Sequence, residues 1–271
     1  MTETGQTGDL GIEMGDDFVT TLEIRRPPAN FFDQSLICQL ADTLERLDAD
    51  DRCRAVVLCA QGKHFCAGAN FSAPTSPTEA PRSGTTGSVG KKSNVHLYDE
   101  AVRLFATQTP VVAAIQGAAI GGGLGLALYS DFRVATSESR FSANFARLGF
   151  HHGFGLSVTL PNLVGSQVAM DLLYTGRRVP GEEAHAMGLC DRLAPADQLR
   201  NVAHEWAVEI ATSAPLAIRS IRETLRGDLA DQIRVATDRE KAEQDRLQKT
   251  QDFREGVRAM GERRRPEFKG E

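Results

Sequence analysis

Two glycine-rich runs in this 271-residue chain carry the clearest chemical potential. They are Gly62 to Asn70 (Gly-Lys-His-Phe-Cys-Ala-Gly-Ala-Asn) and Gly117 to Gly123 (Gly-Ala-Ala-Ile-Gly-Gly-Gly). Each follows an apolar stretch that reads as a buried strand, Ala55 to Ala60 before the first and Val111 to Ile115 before the second. A strand that ends in small residues leaves backbone N–H groups uncovered. Two such turns, brought together, would hold one negatively charged oxygen between two amides. That arrangement serves reactions passing through an enolate or a tetrahedral oxyanion.

Other signatures of chemistry are weak or missing. The five cysteines, Cys38, Cys53, Cys59, Cys66 and Cys190, are odd in number and have no CxxC spacing, so neither a structural zinc site nor a disulfide framework is expected. Cys66 lies inside the first glycine run, yet no base is fixed beside it by sequence, and it reads as a small packed residue. No GxSxG elbow is present. The Gly121 to Gly125 stretch lacks the acidic residue that a nicotinamide-binding fingerprint requires further along.

The elements that must position the turns follow an α/β order. Phe18 to Ile24 alternates as a strand, stopped by Arg26-Pro27-Pro28-Ala29-Asn30. From Asp33, a plausible N-cap, apolar residues at Leu36, Ile37, Leu40, Leu44 and Leu47 recur at helical spacing. A strand is expected over 54–60, a helix from about Asn94 to Gln108, a strand over 111–115 and a helix from Gly121 to Tyr129. Asp131 to Ala135 reads as a strand, and two helices, Gly153 to Leu163 and Ser166 to Tyr174, are separated by Val164-Gly165. Residues 72 to 93 are rich in Pro, Ser, Thr and Gly and are expected to be a mobile loop, read equally as a lid or a passive insertion. Beyond 195 the pattern is helical, over 196–212, 215–226, 229–248 and 252–262. There Glu223, Glu240, Glu243 and Glu255 alternate with arginines and lysines as a solvated face.

Composition bounds the rest. Hydrophobic residues make up 41% and charged residues 25%, which is ordinary for a globular protein with a full core. The net charge of −5 and a pI near 5.8 give no reason to expect a nucleic-acid partner. No apolar run is long enough to span a membrane. The polar N-terminus lacks the regions of a signal peptide, so the expected location is the cytoplasm. The chain is expected to divide into a flexible arm over 1–14, a core over 15–195 and a helical C-terminal region over 196–271.

Read together, the two runs resemble the crotonase (enoyl-CoA hydratase/isomerase) superfamily. The likeness extends through Arg26-Pro27 with Asn30, Phe65 to Ala69, Gly117 to Gly123, Tyr174 to Arg178, Glu183-Ala184, Gly188-Leu189, Asp252 to Gly256 and Glu262 to Phe268. It implies an α/β fold, a spiral of repeated ββα units with a helical C-terminal trimerisation region, assembled as a homotrimer or a dimer of trimers. It implies acyl-coenzyme A thioesters as substrates, with no cofactor beyond the coenzyme A of the substrate and no metal. The family's paired amides fall on Ala69 and Gly122. The nucleotide end falls near Arg26, Ala29, Ala67, Asn70, Phe71 and Ser72, with Arg263 reaching the phosphates from a neighbouring subunit or lying in a solvated basic tail.

The pattern breaks where hydratases of the family carry two glutamates. Those positions are Gly125 and Phe145 here, and a further acidic position used by some members falls at Gly153. Adding water to a double bond needs a base for the water and an acid for the carbon. The best remaining candidates for proton transfer are His151 and His152, entering a helix beside the expected acyl site, ahead of the lesser candidates His64, Tyr98 and Asp99, of which Tyr98 reads as packed or as facing the acyl pocket. Phe145 and Phe150 would make the acyl pocket apolar and suit a bulky or ring-bearing group. Two readings follow: an acyl-CoA-processing enzyme catalysing isomerisation, altered hydration or hydrolytic C–C cleavage, or a non-catalytic acyl-CoA-binding member.

Overall fold

The computed structural model describes residues 3–71 and 96–271. Three strands open the chain: β1 (Glu3–Thr7), β2 (Leu10–Met14) and β3 (Val19–Ile24). Helix α1 (Gln34–Asp48) and strand β4 (Ala55–Ala60) follow. Then come α2 (Leu97–Ala106), β5 (Val111–Ile115), β6 (Ala118–Ile120) and α3 (Gly122–Tyr129). Strands β7 (Phe132–Ala135) and β8 (Arg140–Ser142) lead through a 3₁₀ turn (Asn144–Leu148) into α4 (Leu156–Thr175). Short β9 (Val179–Pro180), α5 (Gly181–Ala186) and β10 (Arg192–Leu193) precede four helices. These are α6 (Leu199–Ala211), α7 (Pro215–Arg226), α8 (Leu229–Leu247) and α9 (Gln251–Gly261).

A seven-stranded sheet runs β1-β2-β3-β4-β5-β7-β10, and a three-stranded one runs β6-β8-β9. From β3 through β10 the large sheet is parallel. Every residue of β4 and β5 is buried, as a parallel sheet covered on both faces demands. Alternate residues divide between two cores: Val56 and Leu58 face α1 and α2, while Ala55, Val57 and Cys59 face α6. Helix α6 offers Ala203, Ala207 and Ala211 to the sheet, so its backbone approaches closely. The chain passes from the large sheet to the small one and back: β5-β6-α3 returns directly to β7, whereas β7-β8-α4 leads first to β9 of the small sheet and regains the large one through α5 at β10.

Local signals account for most elements. Asp33 accepts the Leu36 N–H (2.9 Å) as the N-cap of α1, and the expected apolar stripe is buried. Helix α4 breaks at Gly165 (φ 76°, ψ 158°), where the sequence separates two helices. Three arginines of α7 meet the carbonyl ends of three other helices: Arg219 donates to Asp48 O (2.8 Å), Arg222 to Thr107 O and Arg226 to Tyr129 O (2.6 Å). Cations suit helix C-termini, where unsatisfied carbonyls concentrate negative charge.

Two expectations are corrected here. Residues 3–14 are not a loose arm. They form a hairpin turned by Gly8 (φ +57°) and Asp9, with Thr7 paired to Leu10, and β2 pairs antiparallel with β3. Leu10 is fully buried, and main-chain pairing to the sheet edge supplies what the polar β1 lacks. Glu240 is not on a solvated face; it is 0% exposed, in a stripe with Ile233, Thr237 and Gln244. The loop expected over 72–93 lies outside the described residues. No helix among the described residues is long and apolar enough to cross a membrane.

Ala207→Leu tests the close approach of α6. Overpacking of this kind costs about 1–3 kcal/mol. Urea unfolding is expected to show that loss, and an unchanged midpoint would mean that the α6 face tolerates bulk.

Candidate active site

After β4 the first glycine run pairs alongside the second. Phe65 N–H donates to Gln116 O (2.8 Å), Cys66 N–H to Ala118 O (2.9 Å), and Ile120 N–H back to Cys66 O (3.0 Å). Cys66 and Ala119 thus form a parallel bridge. Glycine is needed where the runs touch. Gly68 has φ +86°, and a Cβ there would lie 2.7 Å from the Ile120 carbonyl oxygen and 4.0 Å from the Gly122 nitrogen. A Cβ on Gly123 would lie 2.2 Å from the Cys66 carbonyl oxygen.

Ala69 and Gly122 both line one cavity of about 200 Å³. Gly122 opens α3, so its N–H has no acceptor within the helix, and the positive end of the helix dipole stands behind it. The Ala69 N–H meets no hydrogen-bond acceptor among the described residues. A Cβ on Gly122 would run into Phe32, 2.1 Å from its Cζ, so that ring closes one flank of the amide.

The remaining wall is apolar and rich in aromatic rings. Phe71, Phe145, Phe150 and Phe154 line it, with Met260 contributed by α9. Phe150 packs on Phe145 (centroids 5.4 Å) and, behind the wall, on Phe253 of α9 (5.2 Å). The positions where the resemblance places acids are filled by other groups. A Cβ on Gly125 would meet Phe154 Cβ at 2.6 Å, and one on Gly153 would meet the Tyr98 hydroxyl oxygen at 1.8 Å. Tyr98 itself lines the cavity, on the face of α2 opposite the solvent. Cys66 is inert: burial pushes its thiol up to about 12.

The expected nucleotide-side residues are divided by the structure. Ala67, Asn70 and Phe71 line the cavity. Ala29 holds the turn in place, its carbonyl accepting the Ala67 N–H (3.0 Å). Arg26 is occupied with its own strand end: it pairs with Asp9 (2.7 Å) and Asp33 (2.9 Å), and it does not line the cavity. Fully buried Asn30 clamps the same turn, accepting from Arg26 N and donating to Gln61 O and His64 O. Arg263, exposed with φ 56°, lies past the end of α9 and away from the cavity lining. Ser72 lies outside the described residues.

His151 and His152, expected beside the acyl site, are not among the residues that line the cavity. Phe150, Gly153 and Phe154 of the same irregular segment do line it, while the two imidazoles have partners of their own. They stack on each other (4.1 Å), and His152 Nε2 lies 2.8 Å from Ser157 Oγ. Ser157 Oγ donates to Glu240 (2.7 Å), whose carboxylate also accepts the Gly155 and Ser157 amides at the start of α4. Burial raises Glu240 despite these bonds. Burial, with His151 beside it, brings His152 down to about 4. Although Glu240 Oε1 is only 3.9 Å from His152 Nε2, we assign a neutral imidazole that donates to Ser157 rather than an ion pair. Glu240 and Gln244 are the polar groups beside the site that sequence reasoning missed, whereas Tyr98, a lesser candidate from the sequence, does line the cavity. The buried stripe of α8 carries one large apolar residue, Ile233, so its pattern resembled an exposed helix.

A His152 value held below that of the unfolded chain stabilises the fold above pH 6.5, and that contribution disappears as pH falls through about 4. The full difference is on the order of 3 kcal/mol. NMR titration is expected to find the His152 ring neutral at pH 6, with unfolding free energy falling between pH 6.5 and 4 more steeply than in His152→Gln. A ring titrating near 6.5 would refute the assignment.

A family model described as enoyl-CoA hydratase/isomerase matches residues 15–271. The chain is 30% identical over 258 residues to the 1,2-epoxyphenylacetyl-CoA isomerase of Escherichia coli, covering 93% of this chain and 95% of that protein. It is also 30% identical over 259 residues to the carnitinyl-CoA dehydratase of Proteus mirabilis, with the same coverage. A crystal structure of an enoyl-CoA hydratase/isomerase from Pseudoalteromonas atlantica superposes with a TM-score of 0.84 at 30% identity, over 96% of this chain and all of the other. Paired glycine turns, alternating sheets and this match over nearly the whole chain together establish that the protein belongs to the enoyl-CoA hydratase/isomerase family and has the crotonase fold.

Proposed function

We propose that the protein processes acyl-CoA thioesters by holding the thioester oxygen between the amides of Ala69 and Gly122. The observation that supports this reading is that Ala69 and Gly122 line one cavity and that neither N–H has an acceptor among the described residues. A thioester carbonyl bound there gains most as it takes on enolate charge, so the amides stabilise the transition state more than the ground state. Acidifying the α-carbon in this way favours reactions that shift a double bond or cleave next to the carbonyl.

The wall favours a ring-sized acyl group. A dry apolar cavity of roughly 150 Å³ is enough for benzene, and this one is about 200 Å³ and bounded by phenylalanines. The E. coli relative is named for an acyl-CoA that bears a six-membered ring, 1,2-epoxyphenylacetyl-CoA. Hydration by paired glutamates is not the mechanism we infer, because Phe154 and Phe145 occupy the space those carboxylates would need. Isomerisation through the enolate is the preferred activity. The same substitutions keep a second reading alive, a non-catalytic acyl-CoA-binding protein. Assembly through α7 fits either reading, since Leu216 and Leu225 lie 79% and 82% exposed.

Turnover of aryl- and enoyl-CoA thioesters tests the proposal. Ala69→Pro removes one amide donor, and Gly122→Ala displaces Phe32 from the other. Each is expected to lower kcat/KM by about 10²–10³, with the folded state checked by circular dichroism. Wild-type rates in both variants would exclude the amide pair. Tight binding without turnover across the panel would establish the binding-protein reading.

A further inference from the structure

Tyr98 brings a phenol to a largely apolar cavity lining, and its hydrogen bonding is constrained from behind. Its hydroxyl lies 2.8 Å from Gln244 Oε1. The other end of that amide, Gln244 Nε2, donates to the His151 carbonyl oxygen (2.9 Å). A carbonyl only accepts, so it fixes the NH₂ end of Gln244 and turns the amide oxygen toward Tyr98. The phenol proton is therefore committed to Gln244. What Tyr98 has left for the cavity is acceptor capacity. The other polar side chains of the described lining, Asn70 and Asn144, belong to the amide end: Asn70 follows Ala69 directly, and Asn144 Oδ1 lies 3.2 Å from where a Gly121 Cβ would be.

We propose that Tyr98, oriented by Gln244, is a specificity-determining hydrogen-bond acceptor that selects acyl groups bearing a hydroxyl, on the chain or on a ring. The inference rests on the thioester reading above and adds which acyl groups the cavity prefers. The absence of a side chain at Gly153 is part of the same device, since any Cβ there would displace the phenol. Burial holds the phenol above its usual range, so it stays neutral at physiological pH. A neutral acceptor of this kind discriminates for a donor without competing with the amides for the thioester oxygen.

The test is calorimetric binding of two matched pairs, phenylacetyl-CoA with 4-hydroxyphenylacetyl-CoA and butyryl-CoA with 3-hydroxybutyryl-CoA. In the wild type, the hydroxylated member of at least one pair is expected to bind about 5–10-fold tighter, the worth of one net hydrogen bond. Which pair responds tells a ring hydroxyl from a chain hydroxyl. The ratio is expected to fall to about one in Tyr98→Phe. In Gln244→Met the phenol proton is freed, and preference is expected to move toward 3-oxobutyryl-CoA, which accepts; this variant carries the test alone should Tyr98→Phe not fold. Equal binding within both pairs in the wild type, or a ratio that survives both substitutions, would overturn the inference. Failure of every thioester to bind would instead bring down the thioester reading itself, a result distinct from binding without discrimination.

Discussion

The structure turns on the main-chain pairing of the first glycine run with β6. Three hydrogen bonds, from Phe65, Cys66 and Ile120, fix the turn after β4 against the turn before α3. Without them Ala69 and Gly122 belong to separate turns more than fifty residues apart. With them, both residues line the same cavity. The pairing needs glycine at Gly68 and Gly123, where a Cβ would strike the opposing carbonyl. Asn30 and Ala29 reinforce the same turn from the end of β3. A backbone device of this kind is rigid because neighbouring strands hold both halves, and rigidity is what makes a fixed amide useful to developing charge.

Around that fixed pair, the polar and apolar groups are sorted by depth. Phenylalanines form the cavity wall, and the ionisable groups stand one layer out. Glu240 caps the start of α4 instead of facing the cavity, and His152 reaches it only through Ser157. Tyr98 is the point at which the outer layer touches the inner one, through Gln244. The C-terminal helices therefore do more than cover the sheet. α8 orients the phenol, α9 closes the wall with Met260 and backs it with Phe253, and the α7 arginines terminate α1, α2 and α3.

Much of this was legible in the sequence, for identifiable reasons. The stripe of α1, the continuous apolar runs of β4 and β5, and the break at Gly165 are local patterns, and each appears where its residues place it. The placing of Ala69, Gly122, Asn70, Phe71 and Phe145 around one cavity also follows from motif order, once the two runs are read as partners. What sequence could not show was which way side chains turn. His151 and His152 sit between Phe150 and Phe154 in an irregular segment with no period to say which residues face inward. Arg26 looks free in sequence, but Asp9 and Asp33 reach it from a hairpin and a helix cap. Glu240 and Gln244 lie on a helix whose buried stripe is polar, so hydrophobic periodicity could not find them. The hairpin over residues 3–14 is held mainly by main-chain bonds to a strand edge, which composition does not record.

The central claim is that the Ala69 and Gly122 amides together polarise a thioester carbonyl. Isotope-edited vibrational spectroscopy of a phenylacetyl-CoA labelled with ¹³C at the carbonyl measures this directly. On binding, the C=O stretch is predicted to move to lower frequency than in water, and the displacement to shrink in Ala69→Pro. A bound thioester whose carbonyl stretch matches that in solution would contradict the account.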